Sequence, residues 1–479
     1  MVWTALQRYS TMFVQFISGI ILARLLTPYD YGCIGMLSIF MALAEVFIDG
    51  GFGSALIQKK RPTKEDYSTI FFWNIFMSVV MYVILYVTAP AIARFYNIPL
   101  LSKVLRVQAL VLFIYAFNII QKNQLKKKLN FKVISIVTIT TSIISLGVTI
   151  LLAYKGFGVW ALVAQNLITA AIPTVVFWFA LKWRPILTFS WTSFKELFGF
   201  GVYMFLTHII NEVSNHLQGL LIGRLYSASD MGYYSKARST EKLASHSISQ
   251  VMTQVTYPLY AEVQDNKERL IGMIKGLTSS ISYVTFPLMY LLLLLAEPIF
   301  IFLYSDRWAD SVPFFQVLCI AGLAGCLQSV NLQSISAIGK SRTMFIWTVI
   351  KRTIGMSFVV GGLLLWGIKG LLWGCVVNAW FAYFVNIALV SKHIGYKWYT
   401  QLKDLFPTFT ASTLVAAICL LVGKWLDLSM YADGALKLSL YVALYLGWSV
   451  IAKPSTYLLI KSRLIKRGKA KNQVSTKSN

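Results

Sequence analysis

Fourteen stretches of about 20 mostly apolar residues account for most of this chain and leave it few ways to fold. An α-helix rises 1.5 Å per residue, so about 20 such residues cross the ~30 Å hydrocarbon core of a bilayer. The stretches lie at approximately 5–26, 33–57, 69–91, 104–121, 133–153, 159–181, 199–224, 233–257, 272–296, 313–337, 344–366, 370–391, 406–424 and 436–458. With 57% hydrophobic and 13% charged residues among 479, and a mean hydropathy of +0.65, the composition lies well outside that of soluble domains. The sequence therefore predicts an all-α polytopic membrane protein.

One segment occurs twice. GIILARLLTPYDYG, Gly19 to Gly32, returns as GLLIGRLYSASDMG, Gly219 to Gly232, with Gly19/Gly219, Arg24/Arg224, Leu25/Leu225, Asp30/Asp230 and Gly32/Gly232 in one register. Upstream, Arg8/His208, Thr11/Asn211, Gln15/Asn215 and Ser18/Gln218 keep polar character in otherwise apolar runs. Six spans precede the second copy, so both copies enter the membrane from the same side. This predicts two six-helix lobes related by a parallel pseudo-twofold axis, plus two C-terminal helices. The expected division is an N-terminal lobe at 1–185, a linker at 186–198 on the cytoplasmic surface, and a C-terminal lobe at 199–395. Extra helices 13 and 14 follow at 396–460, and a basic cytoplasmic tail at 461–479, expected to be disordered after Arg467.

A net charge of +26 would suggest nucleic acid in a soluble protein. Here the excess sits in alternate short loops, including Lys59 to Lys64, Lys122 to Lys132 and Lys267 to Lys275, and in the tail. The opposite loops hold far fewer basic residues, and the positive-inside rule places both termini in the cytoplasm. Five cysteines lie in or beside apolar runs without metal-ligand spacing, so they read as small core residues and no metal is expected. The first span ends at Arg24 and a proline-containing turn, which predicts an uncleaved helix.

Charges inside a bilayer are expensive, so each is a candidate for function. Span 8, YYSKARSTEKLASHSISQVMTQV, carries Lys236, Arg238, Glu241, Lys242, His246 and Gln250. Arg238, Lys242, Ser245 and Ser249 recur at i, i+4, i+7 and i+11, one face of a helix. Span 7 adds Asn211, Glu212, Asn215 and Gln218, and span 11 adds Lys351 and Arg352. Clustered Arg and Lys in a low-dielectric cleft suit a phosphate or pyrophosphate, while amides and aromatics accommodate sugars. Each has a plain structural alternative. Lys236, Arg238 and Lys242 can snorkel to headgroups, Arg24 and Arg224 can anchor helix ends, and Lys351 and Arg352 can belong to a basic collar. Glu45, Asp49, Glu212, Glu241 and His246 are candidate carriers of a coupling ion; Glu45 and Asp49 can instead cap or pair with neighbours, and His246 can be an interior hydrogen-bonded histidine. Walker A, GxSxG and HExxH sequences are absent, as is any large acidic exterior loop, so no enzyme is expected.

The ordered set ARLLTPYDYG, DGGFGSALIQKK from Asp49 to Lys60, MGYYSKARSTEKL from Met231 to Leu243, YPLYAEVQDN from Tyr257 and SDRWADSVPFFQVL from Ser305 to Leu318 resembles a known family. It is similar to the polysaccharide (O-antigen and exopolysaccharide) flippases of the multidrug/oligosaccharidyl-lipid/polysaccharide exporter superfamily. The resemblance implies a bacterial inner-membrane transporter that moves an undecaprenyl-pyrophosphate-linked oligosaccharide between leaflets by alternating access, for surface polysaccharide or lipopolysaccharide biosynthesis. It implies no cofactor beyond H+ or Na+ coupling, and membrane lipids and polysaccharide polymerase machinery as partners. Arg24, Arg224, Lys236, Arg238, Lys242, Lys351 and Arg352 are the positions that fit its cationic cavity. A lipid II flippase shares this physics. A multidrug exporter fits the basic spans less well, and a membrane glycan polymerase lacks its exterior catalytic loop. Reporter fusions at Lys126 and Lys267 are expected to give cytoplasmic signals, and an exterior signal at either overturns the span count.

Overall fold

The computed structural model describes residues 2–263, 265–454, 457 and 458, leaving undescribed the side chains of 2, 4, 5, 200, 246–255, 257, 258, 261, 341 and 342. The expected tail at 461–479 lies outside the described residues. Among the described residues all regular structure is helical. The helices are α1 (Val2–Leu25), α2 (Pro28–Asp49), α3 (Phe52–Gln58), α4 (Lys64–Phe95), α5 (Leu100–Gln108), α6 (Leu110–Lys127), α7 (Phe131–Tyr154), α8 (Val159–Ala180), α9 (Trp191–Leu225) and α10 (Ala228–Glu262). They continue with α11 (Lys267–Leu294), α12 (Ala296–Tyr304), a 3-10 turn at Asp306–Trp308, α13 (Ser311–Ala337), α14 (Ser341–Ile394), α15 (Trp398–Leu426) and α16 (Met430–Ala452).

Every expected span has a helical counterpart, and the protein is an all-α polytopic membrane protein. Among the described residues, ten stretches are long and apolar enough by length and hydropathy to cross a membrane. α1, α9 and α10 fall short of it because they carry the polar stripes, and α14 holds two expected spans in one element. Its two halves meet at Trp366 and Gly367, where Gly367 takes φ 63° and ψ −143°, a conformation closed to other residues. Span 2 also differs from expectation. It breaks at Gly50 and Gly51 (φ 56° and 77°), which end α2 in a left-handed cap and start α3. The segment expected as a surface linker turns helical at Trp191, because the Ser190 hydroxyl accepts from the Ser193 N–H and caps α9.

The chain divides into two compact units. Unit 1 comprises Met1–Lys236 and Leu303–Trp308; unit 2 comprises Ala237–Phe302 and Ala309–Asn479. α9 and the start of α10 thus pack with unit 1, past the 186–198 boundary expected from the repeat.

Inside unit 1 the two copies of the repeat meet reciprocally. A Cβ on Gly32 would lie 1.7 Å from the Ala228 carbonyl oxygen, and one on Gly232 would lie 1.9 Å from the Pro28 oxygen. Residues 28 and 228 are themselves equivalent in the repeat, so each copy presses its glycine onto the other's helix start. Small residues allow such backbone approach in membranes. At another end of unit 1, Lys59 Nζ bridges Asp66 (3.0 Å) and Glu196 (2.9 Å), tying the α3–α4 turn to α9. Desolvation disfavours the Lys59 charge, but its hydrogen bonds to Glu196 and Asp66 outweigh that cost and raise its pKa. Around it Phe52, Phe71 and Phe194 form an aromatic core with Trp73 and Trp183.

In unit 2 the main core joins α11, α13, α14 and the start of α15 through Phe286, Leu327, Tyr383 and Leu405. A second cluster, with Leu294, Cys419, Tyr441 and Tyr445, packs α15 and α16 onto α11.

Gly32→Val is expected to lower thermal stability in detergent by at least the ~1–3 kcal/mol of an overpacked core, because its new carbon meets backbone and not a yielding side chain. Gly147→Ala, where nothing lies within 4 Å, is expected to leave the melting temperature unchanged or slightly raised.

Candidate functional site

The repeated motif builds one end of unit 1 by the same local chemistry twice. The Thr27 hydroxyl accepts from the Asp30 N–H (3.3 Å), and the Asp30 carboxylate accepts from the Thr27 N–H (2.9 Å). Ser227 and Asp230 repeat the pair at 3.0 Å in each direction. These reciprocal caps start α2 and α10 just after Arg24 and Arg224. Both arginines are exposed. Arg24 Nε donates to the Leu303 carbonyl at 3.0 Å, and the Arg224 guanidinium lies over the Phe95 ring at 5.1 Å.

Two turns into α10, Lys236 points into packed protein and is 4% exposed. Its Nζ donates to the Gly19 carbonyl at 2.6 Å and lies 3.9 Å from the Tyr304 ring centre, with Tyr31 at 5.3 Å and Trp308 at 5.6 Å. Aromatic faces and a carbonyl dipole present negative potential, which suits a cation where water is excluded. Trp308 in turn donates its indole N–H to the Ala23 carbonyl at 2.8 Å. Leu303–Trp308 is therefore held against the end of α1 by Arg24, Trp308 and Lys236 together. Lys236 is one of the seven basic residues expected to fit a cationic cavity, and it is buried among these partners.

Further along α10 the two kinds of side chain separate. Arg238 and Lys242, one turn apart on one face, keep accessible surface, Lys242 being exposed. Glu241, 8% exposed, turns into unit 2, where its Oε1 occupies the space a Gly322 side chain would need. Lys351 on α14 is 8% exposed and donates to Asn386 Oδ1 at 2.5 Å, whereas its neighbour Arg352 remains part-exposed. The side chains of His246 and Gln250 lie outside the described residues.

On α9, Asn211 and Asn215 are part-exposed and Gln218 is buried. Glu212 pairs with His216 at 3.4 Å, and His216 Nδ1 lies 3.0 Å from the Ser38 hydroxyl, linking α9 to α2. Asp49 ends α2, and its Oδ1 occupies the space a side chain on Gly53, at the start of α3, would need. Glu45 faces a cavity of about 480 Å³ inside unit 1, bounded by α2, α5, α6, α7 and α8.

Several of these groups were not legible as site residues. Lys122 counts as a loop charge in the sequence, yet α6 runs on to Lys127 and Lys122 lines the cavity with Glu45. His216 sits one turn beyond Glu212, a spacing that could have flagged it. Tyr304 gave no signal, and Trp308 stood in the motif from Ser305 to Leu318 without its partners being legible, because they are remote in sequence.

Helices long enough to span a bilayer, with charged side chains inside them, make this a multi-pass membrane protein in class. The sequence matches the family described as "Polysaccharide biosynthesis protein" over residues 21–313, more than half its length, and the chain belongs to that family. It is 25% identical to the teichuronic acid biosynthesis protein TuaB of Bacillus subtilis, across 98% of this chain and 97% of that protein. It is 24% identical to the lipopolysaccharide biosynthesis protein WzxC of Escherichia coli, across 87% and 86%. The succinoglycan biosynthesis transport protein ExoT of Rhizobium meliloti shares 23% identity across 85% and 80%. Among solved structures it is similar in fold to the lipid II flippase MurJ in an inward closed conformation, with TM-score 0.74, 14% identity and coverage of 94% and 98%. An inward-facing multidrug resistance MATE family transporter of the MOP superfamily gives TM-score 0.64 at 15% identity, covering 80% and 94%.

Lys236→Met removes the hydrogen bond to Gly19 and the charge inside the aromatic cage. A loss of about 2 kcal/mol, read as a lower melting temperature in detergent, is expected. Arg224→Gln, at an exposed helix end, is expected to leave it within about 0.5 kcal/mol.

Proposed function

We propose that this protein is a flippase for a lipid-linked oligosaccharide, carrying an undecaprenyl-pyrophosphate glycan from the cytoplasmic to the periplasmic leaflet for surface polysaccharide synthesis. The observation that carries this reading is the accessible basic face of α10. Arg238 and Lys242 lie inside a membrane-length helix and keep accessible surface, while Lys236 and Glu241 on the other sides turn into protein. Two cations on one face cannot be left against acyl chains at acceptable cost, so that face borders water. A watery, cationic face suits a diphosphate, with Arg238 providing bidentate geometry and Lys242 a point charge. The prenyl chain stays in lipid while the glycan crosses in water. Family membership supports the same reading, as do relatives named for lipopolysaccharide biosynthesis and succinoglycan transport.

Within this reading Arg24, Arg224 and Arg352 are further phosphate contacts, and Asn211, Asn215, Gln218 and Gln250 contact sugar. A proton or sodium gradient drives the cycle, with its carrier among Glu45, Asp49, Glu212, Glu241 and His246. The protein works in the bacterial inner membrane with both termini in the cytoplasm, beside a polysaccharide polymerase. An exporter of organic cations requires an acidic cleft, which the basic face of α10 opposes.

Replacing both Arg238 and Lys242 by Gln is expected to abolish surface glycan while membrane levels of the protein stay normal. Undiminished glycan at normal protein level removes the pair from the mechanism.

A further inference from the structure

The segment between α8 and α9 carries an apolar apex that its own unit does not cover. α8 ends at Ala180, and residues 181–190 have no regular structure before Ser190 caps α9. The segment is nevertheless fixed onto α4. The Ile186 N–H donates to the Ser68 hydroxyl at 3.1 Å, and the Ser190 N–H donates to the Thr69 hydroxyl at 3.0 Å. Trp183 packs edge-on against Tyr67 and Phe71, with ring centres 6.2 and 5.9 Å apart. Beyond these anchors the apolar side chains turn outward: Leu187 is 93% exposed, Phe189 48% and Trp191 58%. A tethered loop that presents a leucine almost bare has not folded back onto its own protein, so this apolar surface suits an outside partner.

The charge around the loop selects that partner. Lys182, Arg184 and Lys195 on the segment are exposed, and so are Lys60, Arg61 and Lys64 beside the start of α4, against which the loop is tied. Among the described residues none of these six makes an ion pair. Asp66 and Glu196 are taken up by Lys59, and Glu65 is the remaining acid within residues 58–70 and 179–199. Cations around an apolar apex match a surface that is anionic outside and apolar within, as the headgroup layer of a bilayer is. Position agrees with charge. Leu187 lies seven residues past the end of one membrane-length helix, and Ser68 and Thr69 lie in the second turn of another. A water-soluble protein would have to enter the headgroups to reach the apex.

We infer that the 182–195 segment and the start of α4 form a docking surface for anionic phospholipid. Its Lys and Arg side chains pair with headgroup phosphates while Leu187, Phe189 and Trp191 enter the upper acyl layer. The inference does not depend on what the protein transports.

The test places the full-length protein in nanodiscs of phosphatidylcholine and phosphatidylglycerol, with bromine on the acyl chains of one lipid at a time. A bimane fluorophore is attached through Thr188→Cys, at an exposed position beside Leu187, in a protein that also carries Cys375→Ala because the other native cysteines are buried. Brominated phosphatidylglycerol is expected to quench about threefold more than brominated phosphatidylcholine at equal lipid fractions, and high salt is expected to erase the difference. Replacing Lys64, Lys182 and Lys195 by Gln is expected to equalise the two lipids at an unchanged melting temperature. If that triple variant melts lower, Lys182→Gln and Lys195→Gln are measured singly, and each is expected to lower the ratio. Leu187→Ser is expected to weaken quenching by both lipids and keep their ratio. Lys155→Gln, exposed at the opposite end of α8, is expected to leave the ratio unchanged. Equal quenching in the parent protein overturns the inference, as does a preference that survives loss of the three lysines or falls as far with Lys155→Gln. Absence of quenching by either lipid also overturns it, because the loop would then face water or a protein.

Discussion

The cost of charge in a hydrocarbon slab governs where this chain can put its basic residues. Lys236 shows one solution: Tyr31, Tyr304, Trp308 and the Gly19 carbonyl close around it and leave it 4% exposed. Lys351 shows a second, with one amide oxygen supplied by Asn386. Arg238 and Lys242, further along α10, instead keep accessible surface. On α10 the buried Lys236 and the accessible Arg238 and Lys242 thus face different sides.

The same constraint explains the repeat. Each copy carries a reciprocal Ser/Thr–Asp cap, an arginine just before it and a glycine just after, and the glycines let the two helix starts touch through backbone. That contact brings the start of α10 into unit 1 beside α1, where Lys236 finds the Gly19 carbonyl. The segment carrying Tyr304 and Trp308 completes the cage. Local capping, close packing and charge burial therefore act at one place.

Much of this was legible in the sequence. Apolar runs of membrane length gave the helices, and identical spacing in the two copies marked Gly32 and Gly232 as equivalent, though not that each presses on the other copy. The basic face of α10 followed from helical periodicity. What stayed hidden depends on pairing across the chain. Nothing near Lys236 in sequence announces a cage, because Tyr31 and Trp308 are brought to it only by folding. Lys122 read as a loop charge, since apolarity fades before α6 ends. The breaks at Gly50–Gly51 and Trp366–Gly367 are conformational, and an apolar count passes over them.

The central claim is that basic residues inside membrane helices carry a diphosphate-linked glycan past the hydrocarbon. It is tested most directly in proteoliposomes, by loading a lipid-linked oligosaccharide into one leaflet and following its exposure to a glycan-cleaving enzyme added to the other side. The account predicts exposure that requires the protein, falls when Arg238 and Lys242 are neutralised, and is competed by undecaprenyl pyrophosphate. Exposure at the protein-free rate, or transport indifferent to those two charges and to the competing diphosphate, would contradict it.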